Sequence, residues 1–362
     1  MATHEAPSRA QRRVEKNTIL YSTVRPRLKH YGILSSPETN LIVSTGFVTI
    51  DVKSEFLNSV DARFLFLLLT QPHITAYIAT IADSAVSAYP SFNPSDISAL
   101  EFEFPEINIQ KHIADIWEHY DRKIGLNRQI NDNLEEQLRL ITSRYIFGSP
   151  YLEKKRIGEI ATIKAGGDCP IIFSKTRTQE CNIPIFSNGT EDRGLYGFTN
   201  KANIEGHSIT VAARGTIGYC ERRLMPFMPI IRLLAITPKE DGAYIYLHQV
   251  IRCMKFKKNG SVQQQLTVPE ISFIEIPYPH SSVLSEYNKV ASPIVEMIEH
   301  NISENEFLAK QRDELLPLLM NGQASINYHL YVILNRPYLP PTSRLLRFVH
   351  GTLFAIVVYL QF

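Results

Sequence analysis

The sequence predicts an α+β protein, with two mixed α/β domains separated by two long antiparallel coiled-coil helices in an internal pseudo-two-fold repeat. Three observations predict this class. The segment DISALEFEFP at 96–105 aligns with EISFIEIPYP at 270–279, and this offset of 174 residues continues without a gap to Gly148 and Gly322. Each copy then carries a long apolar stripe at helical spacing. Mixed sequence with short apolar runs and glycine- or asparagine-rich turns precedes each stripe, and a repeat of this size indicates two units built alike.

The first element of each aligned segment, 96–105 and 270–279, predicts a short strand that ends in a proline. The helical stretch after it has apolar residues in alternating steps of three and four, which is coiled-coil spacing. The stripe is Ile113, Trp117, Tyr120, Ile124, Leu134, Leu138, Ile141 and Tyr145 in the first copy, and Tyr287, Ala291, Ile294, Ile298, Leu308, Arg312, Leu315 and Leu319 in the second. About 40 residues of helix at roughly 1.5 Å each give a rod of about 60 Å.

Two asparagines interrupt each stripe at matching places, Asn127 and Asn131 in the first copy and Asn301 and Asn305 in the second. A polar residue in an apolar seam lowers stability and fixes register or partner, so these four are predicted to pair the helices. The alternative is that they face solvent on single helices.

The ends and interruptions of the helices follow from glycine and proline. Gly148 and Gly322 stand where C-terminal helix caps are expected. Pro293 and Pro317 occur only in the second copy and predict local breaks or kinks there.

The repeat divides the chain into five segments. We expect a partial first domain over 1–105, a central long helix over 106–148, a second domain over 149–279, a C-terminal long helix over 280–325 and an atypical tail over 326–362. Within the first domain, 17–32 matches a strand of the second at 209–213, and 62–80 predicts a helix. In the second domain the 56 residues 153–208 precede Ile209, whereas in the first domain only 18 residues precede Ile19. We therefore expect the opening part of the first domain to be missing or replaced by MATHEAPSRAQRRVEK.

Charge divides along the same lines, although the net charge is only +2. Residues 201–258 contain ten Lys or Arg against four Asp or Glu, and 1–31 contain seven against two. The helical segments are acidic, with six basic and ten acidic residues over 96–148, and three and nine over 270–322. Basic domains suit a phosphate backbone, and acidic helices suit a protein partner. The alternative is an ordinary solvated surface.

The termini and cysteines bear on location. The four cysteines form no CxxC pair, and the N-terminus has no apolar core of a secretory signal. Free thiols in the cytoplasm are therefore expected. The apolar part of the tail after His350 is shorter than the roughly 20 residues of a spanning helix, so no membrane partner is predicted.

The sequence resembles the specificity subunit of type I restriction–modification systems. In the second half the motifs are RIGEIATIKAGGDCP, IPIFSNGTEDRGLYGFTN, SITVAARGTIGYC, PFMPIIRLLAITPK and LAKQRDELLPLLMNG, and in the first ILYSTVRPRLKHYGIL, NLIVSTGFVTI and SAYPSFNPSDI. The resemblance implies two target-recognition domains that each read half of a split site in double-stranded DNA. It also implies that the helices act as a spacer and a dock for modification subunits, and that a restriction and translocase subunit joins the complex. S-adenosylmethionine, ATP and Mg would be bound by those partners.

No catalytic or metal-ligating residue is predicted. The sequence has no GxxxxGK[ST] phosphate loop, no methyltransferase Asn/Asp-Pro-Pro-aromatic motif and no metal-like cluster of His, Asp or Glu. Three other hypotheses stay open: a coiled-coil scaffold without a DNA role, an enzyme in its own right, and a non-functional or half-specific fragment that serves only in assembly.

The stretch SITVAARGTIGYC at 208–220 carries the first DNA-binding candidates, because an apolar strand ends in Arg214, Gly215 and Thr216. Arginine can contact a phosphate or grip guanine with two hydrogen bonds, and glycine lets the backbone approach closely. The alternative for Arg214 is a salt bridge that stabilises the loop.

Further DNA-binding candidates lie in other loops. In the second domain they are Lys164, Gly166, Gly167, Ser187 and Asn188, with the basic-then-amide run Lys255, Lys257, Lys258, Gln263 and Gln264; in the first domain they are Arg25, Arg27, Lys29 and Tyr89. Lysine suits phosphates and glutamine suits adenine edges. Ordinary turns and a solvated helix end are the alternatives.

Overall fold

A computed structural model describes residues 8–84, 89–148, 152–240, 242–254, 256 and 265–323. The strands are β1 (Ala10–Arg13), β2 (Ile19–Ser22), β3 (Tyr31–Ile33), β4 (Ile42–Ser44), β5 (Phe47–Ile50), β6 (Leu152–Arg156), β7 (Ala161–Ala165), β8 (Ile183–Phe186), β9 (Leu195–Thr199), β10 (Ser208–Val211), β11 (Cys220–Arg223), β12 (Met228–Pro229), β13 (Leu234–Pro238) and β14 (Glu275–Pro279). The helices are α1 (Ala62–Leu69), α2 (Pro72–Asp83), α3 (Pro94–Ser98), α4 (Ile107–Thr142), α5 (Ile157–Ile160), α6 (Ala243–Cys253), α7 (Val268–Ser272) and α8 (Ser281–Met320).

The chain divides into two compact units, Met1–Leu126 with Glu304–Phe362, and Asn127–Ser303. Each unit contains one β-rich globular part and a portion of both long helices, α4 and α8. The predicted α+β class with two domains and two long paired helices is confirmed.

The first unit is built on a sheet of order β3–β2–β5, with a separate pair of β1 and β4. Its core contains Ile19 and Tyr21 of β2, which face Phe64 and Phe66 of α1. The single helix expected over 62–80 is two helices, α1 and α2. Pro72 cannot donate a backbone hydrogen bond, so it is accommodated in the first turn of α2 rather than inside a longer helix.

The second unit has a sheet of order β11–β10–β13–β7, a smaller sheet of order β12–β8–β9 and a pair of β14 and β6. Every residue of β10 is buried, so this strand lies in the middle of the core. Helix α6 packs beside it and contributes buried residues such as Ile245 and Tyr246.

Within each unit the two long helices run antiparallel. In the first unit, Asp121 pairs with Arg312 at 3.8 Å and Lys123 with Glu304 at 3.2 Å. In the second, Thr142 and Tyr287 share a hydrogen bond of 2.9 Å. Because rising numbers on α4 meet falling numbers on α8, the predicted antiparallel pairing is confirmed.

The prolines do not break α8, which runs through Pro293 and Pro317, so the expectation of local breaks is wrong. Pro293 is exposed, and the carbonyl that loses its helical partner there can bind water. Gly322 has φ +66 and ends α8, and the Gln323 N–H donates to the Leu318 carbonyl at 2.9 Å. Gly148 instead keeps a helical φ of −82 after the π-turn Ser143–Phe147.

The strand expected over 96–105 is not formed in the described residues. The first copy begins with α3, which Pro94 at its first turn and a capping box of Asn93 and Asp96 stabilise. Residues 101–106 form neither a strand nor a helix. The second copy has both elements, α7 followed by β14.

Among the described residues, no single helix is long and apolar enough to cross a bilayer. The bent pair α1 and α2, with an angle of 61°, reaches that length and composition together. The predicted tail 326–362 lies outside the described residues.

Candidate nucleic-acid interface

The loop between β10 and β11 begins in the core and emerges at the surface. Ala212 and Ala213 are buried, whereas Arg214 directly after them is exposed. Gly215 has φ +67, a conformation that other residues rarely adopt, and a Cβ there would meet open space. The loop therefore turns sharply and presents Arg214 and Gly215 to solvent.

Asn188 holds this loop against two neighbouring segments. Its side-chain oxygen accepts from the Ala213 N–H at 2.8 Å, and its side-chain amide donates to the Ile231 carbonyl at 2.6 Å. The Thr216 hydroxyl donates to the Asn188 carbonyl at 3.2 Å. Ser187, the neighbouring candidate, donates its N–H to the Gly194 carbonyl at 2.9 Å, which is turn chemistry.

The glycine pair after β7 contacts the same segment. The Ile231 N–H donates to the Gly167 carbonyl at 2.8 Å, and the Arg232 N–H donates to the Gly166 carbonyl at 3.0 Å. A Cβ on Gly166 would lie 2.7 Å from the backbone nitrogen of Ile230, so only glycine fits there. Lys164, on β7, is exposed.

These contacts bring separate stretches of sequence into one surface. We define the loop cluster as Gly166, Gly167, Asn188, 213–216 and Ile231. Candidates that lie up to 50 residues apart in the chain therefore meet at one place. Exposed cations surround it, including Lys164, Arg214 and Arg232, and Asp168 is an exposed carboxylate beside Gly167.

Arg214 donates to a neutral amide. Its Nε and one terminal nitrogen lie 3.1 and 2.6 Å from the Gln265 side-chain oxygen. Among the described residues it forms no salt bridge, so the stabilising ion pair considered from the sequence is not observed there. Because the Gln265 amide carries no net charge, it competes less strongly than a carboxylate would with an anion that approaches Arg214.

The basic-then-amide run lies outside the described residues: Lys255, Lys257, Lys258, Gln263 and Gln264. The described residues at its two ends both contact the loop that carries Arg214. Phe256 lies against Gly218, where a Cβ would be 2.5 Å from its ring, and Gln265 accepts from Arg214.

In the first unit two of the four candidates contact each other, and the other two have different partners. Arg25 has φ 51 and stacks over the Tyr89 ring, with 4.8 Å between the guanidinium carbon and the ring centroid. Arg27 forms an exposed salt bridge with Asp83 at 2.6 Å. Lys29 has φ 55 and ends the short helical turn Pro26–Leu28, where its backbone N–H donates to the Pro26 carbonyl.

A buried ion network in the second unit was not anticipated from the sequence. Arg222 on β11 is only 3% exposed and pairs with Glu135 on α4, which also pairs with Arg252. Arg193 pairs with Glu221 at 2.8 Å and with Glu299 on α8 at 3.1 Å. The network thus fastens the globular part to both long helices.

Burial and the neighbouring charges set the ionisation of this network. Burial would raise the pKa of Glu135, but Arg222 and Arg252 beside it hold its pKa below the usual value. Burial, with Arg222 next to it, lowers the pKa of His248 well below its usual value, so His248 is neutral. Burial likewise lowers the pKa of Arg223 to about 10.

The network corrects the interpretation of the basic segment 201–258. Its Arg222 and Arg223 are buried, and Arg252 is paired, so part of the basic excess meets the acidic helices rather than DNA. The signal that could have indicated this was present in the opposite net charges of the domains and helices.

In the part of the chain that the structure describes, no group of three or more His, Cys, Asp or Glu is placed to hold a metal ion. All four cysteines are unpaired. Burial raises the pKa of the Cys220 thiol to about 12, which disfavours the nucleophilic thiolate.

The comparisons with known proteins agree on one family. A model of the type I restriction modification DNA specificity domain matches residues 6–136 and 152–312. A putative type I specificity subunit of Mycoplasma pneumoniae, S.MpnORF89P, is 29% identical, and the alignment covers 66% of this chain and 77% of that protein. The HindI specificity subunit of Haemophilus influenzae is 25% identical, with 88% and 89% covered.

The fold agrees with this match. The crystal structure of a type I restriction–modification S subunit from M. genitalium superimposes with a TM-score of 0.51 at 18% identity, covering 84% of this chain and 83% of that one. The family model covers well over half of the chain and both copies of the repeat. The chain belongs to the type I restriction–modification DNA specificity family and is a specificity subunit, with a recognition role rather than a catalytic one.

Proposed function

We propose that the loop cluster of the second unit is a DNA-reading surface, and that Arg214 contacts the DNA directly. The observation that carries the proposal is the convergence of Gly166, Gly167, Asn188 and 213–216 around an exposed arginine. Backbone held by close glycine contacts can approach a groove, and a guanidinium can bind a phosphate or guanine.

Gln265 suggests how Arg214 is positioned. Both hydrogen bonds run from the guanidinium to one amide oxygen, so the side chain is oriented without losing charge. The Gln265 amide group remains available as a second reader of base edges. The basic-then-amide run Lys255, Lys257, Lys258, Gln263 and Gln264 is proposed to supply further DNA contacts, since lysine suits phosphates and glutamine suits adenine edges.

The whole molecule is proposed to direct partner subunits to a two-part site in double-stranded DNA in the cytoplasm. The second unit would read one half through its loop cluster, and the first would read the other through Arg25, Tyr89 and their neighbours. The two long helices would set the spacing, with Asn127, Asn131, Asn301 and Asn305 fixing their register. Modification subunits would dock on these helices, and a restriction and translocase subunit would join. S-adenosylmethionine, ATP and Mg would be held by those partners.

The experiment is to compare Arg214→Ala with wild type in a reconstituted complex with modification subunits. Affinity for target and non-target DNA is measured across a series of salt concentrations. We expect Arg214→Ala to weaken target binding by roughly 10- to 100-fold, since a specific base contact is worth about 1–3 kcal/mol. If Arg214 contacts a phosphate instead, affinity falls for both DNAs and the salt slope decreases by about one.

Two variants serve as controls. Arg177→Ala removes an exposed arginine of the same unit outside the loop cluster, and it should leave target binding unchanged. Gln265→Ala tests positioning, and it should weaken target binding less than Arg214→Ala. Unchanged affinity and salt slope for Arg214→Ala would contradict the proposed contact.

A second experiment tests the two-part reading. The chain is co-expressed with modification subunits, and methylated sites are mapped. A two-part motif supports reading by both units, whereas a half motif or a palindrome means that only the second unit reads DNA. The absence of methylation would favour the alternative, a fragment that serves only in assembly.

A further inference from the structure

The first unit contains an apolar groove of about 520 Å³ beside strand β5. Its lining includes Val48 and Ile50 of β5, Leu65 and Leu69 of α1, and Ile97 of α3. Within the described residues β5 pairs only with β2, so its outer edge has backbone groups free for another strand. Val48, Leu69 and Ile97 form the buried floor of the groove, and Phe104 at its side is 37% exposed. An open strand edge of this kind is a template for pairing with another chain.

The corresponding place in the second unit is filled by a continuous segment of the protein itself. There β7 pairs with β13, the counterpart of β5, and β6 pairs with β14. Between these strands α5 lies against α7 so closely that a Cβ on Gly158 would be 3.0 Å from the Ser272 Cβ. We call Leu152–Ala165 the closing segment.

The repeat offset of 174 identifies the surfaces that the closing segment covers. Ser272 and Ile271 of α7 correspond to Ser98 and Ile97, and both of the latter line the groove. Tyr278 of β14 is 4% exposed under the closing segment. Its counterpart Phe104 also lines the groove and is 37% exposed.

Charge complementarity indicates what would fit. The closing segment carries Lys154, Lys155 and Arg156, and Arg156 is registered opposite Glu275. The counterpart of Glu275 is Glu101; Glu101 and Glu103 are both exposed and alternate along the chain with the groove residues Phe102 and Phe104. Lys155 lies over the Tyr278 ring at 5.1 Å, at the position that Phe104 occupies in the first unit.

We propose that this groove binds a segment of another polypeptide with the chemistry of the closing segment. That chemistry is a basic strand, a tight Ile-Gly-x-Ile turn and a second strand with apolar residues at alternate positions. The second strand pairs with the edge of β5, the turn covers Ile97 and Ser98, and the basic strand pairs with 101–105. Leu152–Ala165 of this chain is engaged in the second unit, and the occupant proposed here is a segment of a second polypeptide. Its backbone hydrogen bonds supply affinity, and the apolar and basic side chains supply specificity.

The probe is a labelled peptide of sequence LEKKRIGEIATIKA, titrated into the full chain and followed by fluorescence anisotropy. We expect saturable binding with a Kd in the micromolar range, which is typical of strand addition to a sheet edge. Hydrogen exchange should slow at residues 47–51 and 101–104 when the peptide is present.

Matched variants locate the binding. Glu101→Lys with Glu103→Lys should raise the Kd about tenfold, because these two charges become repulsive. Glu38→Lys reverses an exposed charge in the same unit away from the groove, and it should leave the Kd unchanged. A peptide carrying Asp in place of Ile157 and Ile160 should bind at least about tenfold more weakly, since its apolar contacts are lost.

Four results would overturn the proposal. The first three are equal binding of the Asp-substituted peptide, no binding up to about 1 mM, and protection of residues 47–51 before any peptide is added, which would mean that this chain covers its own edge. Peptide-induced exchange changes confined to 268–279 would also overturn it, because they would place the peptide in the second unit. None of these results depends on whether Arg214 reads DNA.

Discussion

The two globular parts share a three-stranded sheet but differ at its edge. In each unit one strand, β2 or β10, lies between two antiparallel partners. The order is β3–β2–β5 in the first unit and β11–β10–β13 in the second. The second unit adds β7 beyond β13, whereas in the first the described residues leave β5 as the edge. The comparison shows that three strands and a covering helix already form a core, and that the closing segment adds to it.

The units also differ in how an arginine fastens each globular part to α4. In the first unit Arg63 pairs with Asp61, Asp115 and Glu118, and its side chain is 20% exposed. In the second unit Arg222 pairs with Glu135 and is 3% exposed. Because Arg222 is more deeply buried than Arg63, the second connection should be more sensitive to the loss of a charge.

The largest expected effect comes from breaking that second connection. Glu135→Ala leaves Arg222 buried with a weaker partner, and we expect a loss of about 3–5 kcal/mol in the free energy of unfolding. Asp115→Ala is the matched change in the first unit, where Arg63 keeps other carboxylates and some solvent, and it should cost about 1 kcal/mol. Urea denaturation of both variants measures this. Equal losses would contradict the difference inferred between the units.

The next largest effect concerns the glycine pair of the loop cluster. Gly166→Ala places a Cβ 2.7 Å from the Ile230 nitrogen, so the backbone must shift, at a cost of about 1–3 kcal/mol and with weaker target binding. Gly167→Ala adds a Cβ with no atom within 4 Å and should change stability by less than about 0.5 kcal/mol. Denaturation and DNA-binding assays on the pair measure both effects. Similar behaviour of the two variants would mean that the close contact at Gly166 is unimportant.

A smaller effect is expected in the seam between the long helices of the second unit. The Asn301 amide donates to the Asn131 side-chain oxygen at 2.8 Å, and the Asn131 amide donates to the Ile298 carbonyl at 3.2 Å. Asn301→Ala should cost about 1 kcal/mol, because it leaves a polar group without its partner. A double-mutant cycle with Asn131→Ala should give a coupling energy of about 0.5–1 kcal/mol, and additive effects would argue against a direct interaction.

The smallest expected effect is a difference in acid sensitivity. The pKa of Glu135 is lower in the folded protein than its ordinary value of 4.5, so its ionised form stabilises the fold above that pH. This contribution is lost as the pH falls through the lowered pKa. The melting temperature should therefore fall more steeply between pH 6 and pH 3 for wild type than for Glu135→Gln. Parallel curves would mean that Glu135 makes no pH-dependent contribution.

The two long helices could be predicted from the sequence because the spacing of apolar residues that defines them lies within each helix. The apolar stripe predicts α4 and α8, and the expected positions of Tyr120, Ile124, Leu308 and Leu315 are buried. Two details of α8 differ from the prediction. The helix continues through Pro293, and Val295 rather than Ile294 takes the fully buried position.

The sequence indicates Asn188, Gly166 and Thr216 separately as turn or contact residues, and the structure brings them together around Arg214 as one candidate site. The pairing of Arg222 with Glu135 could not be found in the same way, because 87 residues separate them and only the fold places them together. A charge count cannot distinguish an arginine on the surface from one buried against a carboxylate.

The C-terminal part of α8, from Glu304, belongs to the first unit, and this has a consequence for biosynthesis. Leu308, Leu315 and Leu319 belong to the same core as Ile19 and Phe64, so that core spans almost the whole described chain. The second unit, Asn127–Ser303, is a single uninterrupted stretch. Since a ribosome releases the chain from its N-terminus, the second unit can complete its core during translation, whereas the first, although synthesised earlier, must wait for the last helix to emerge.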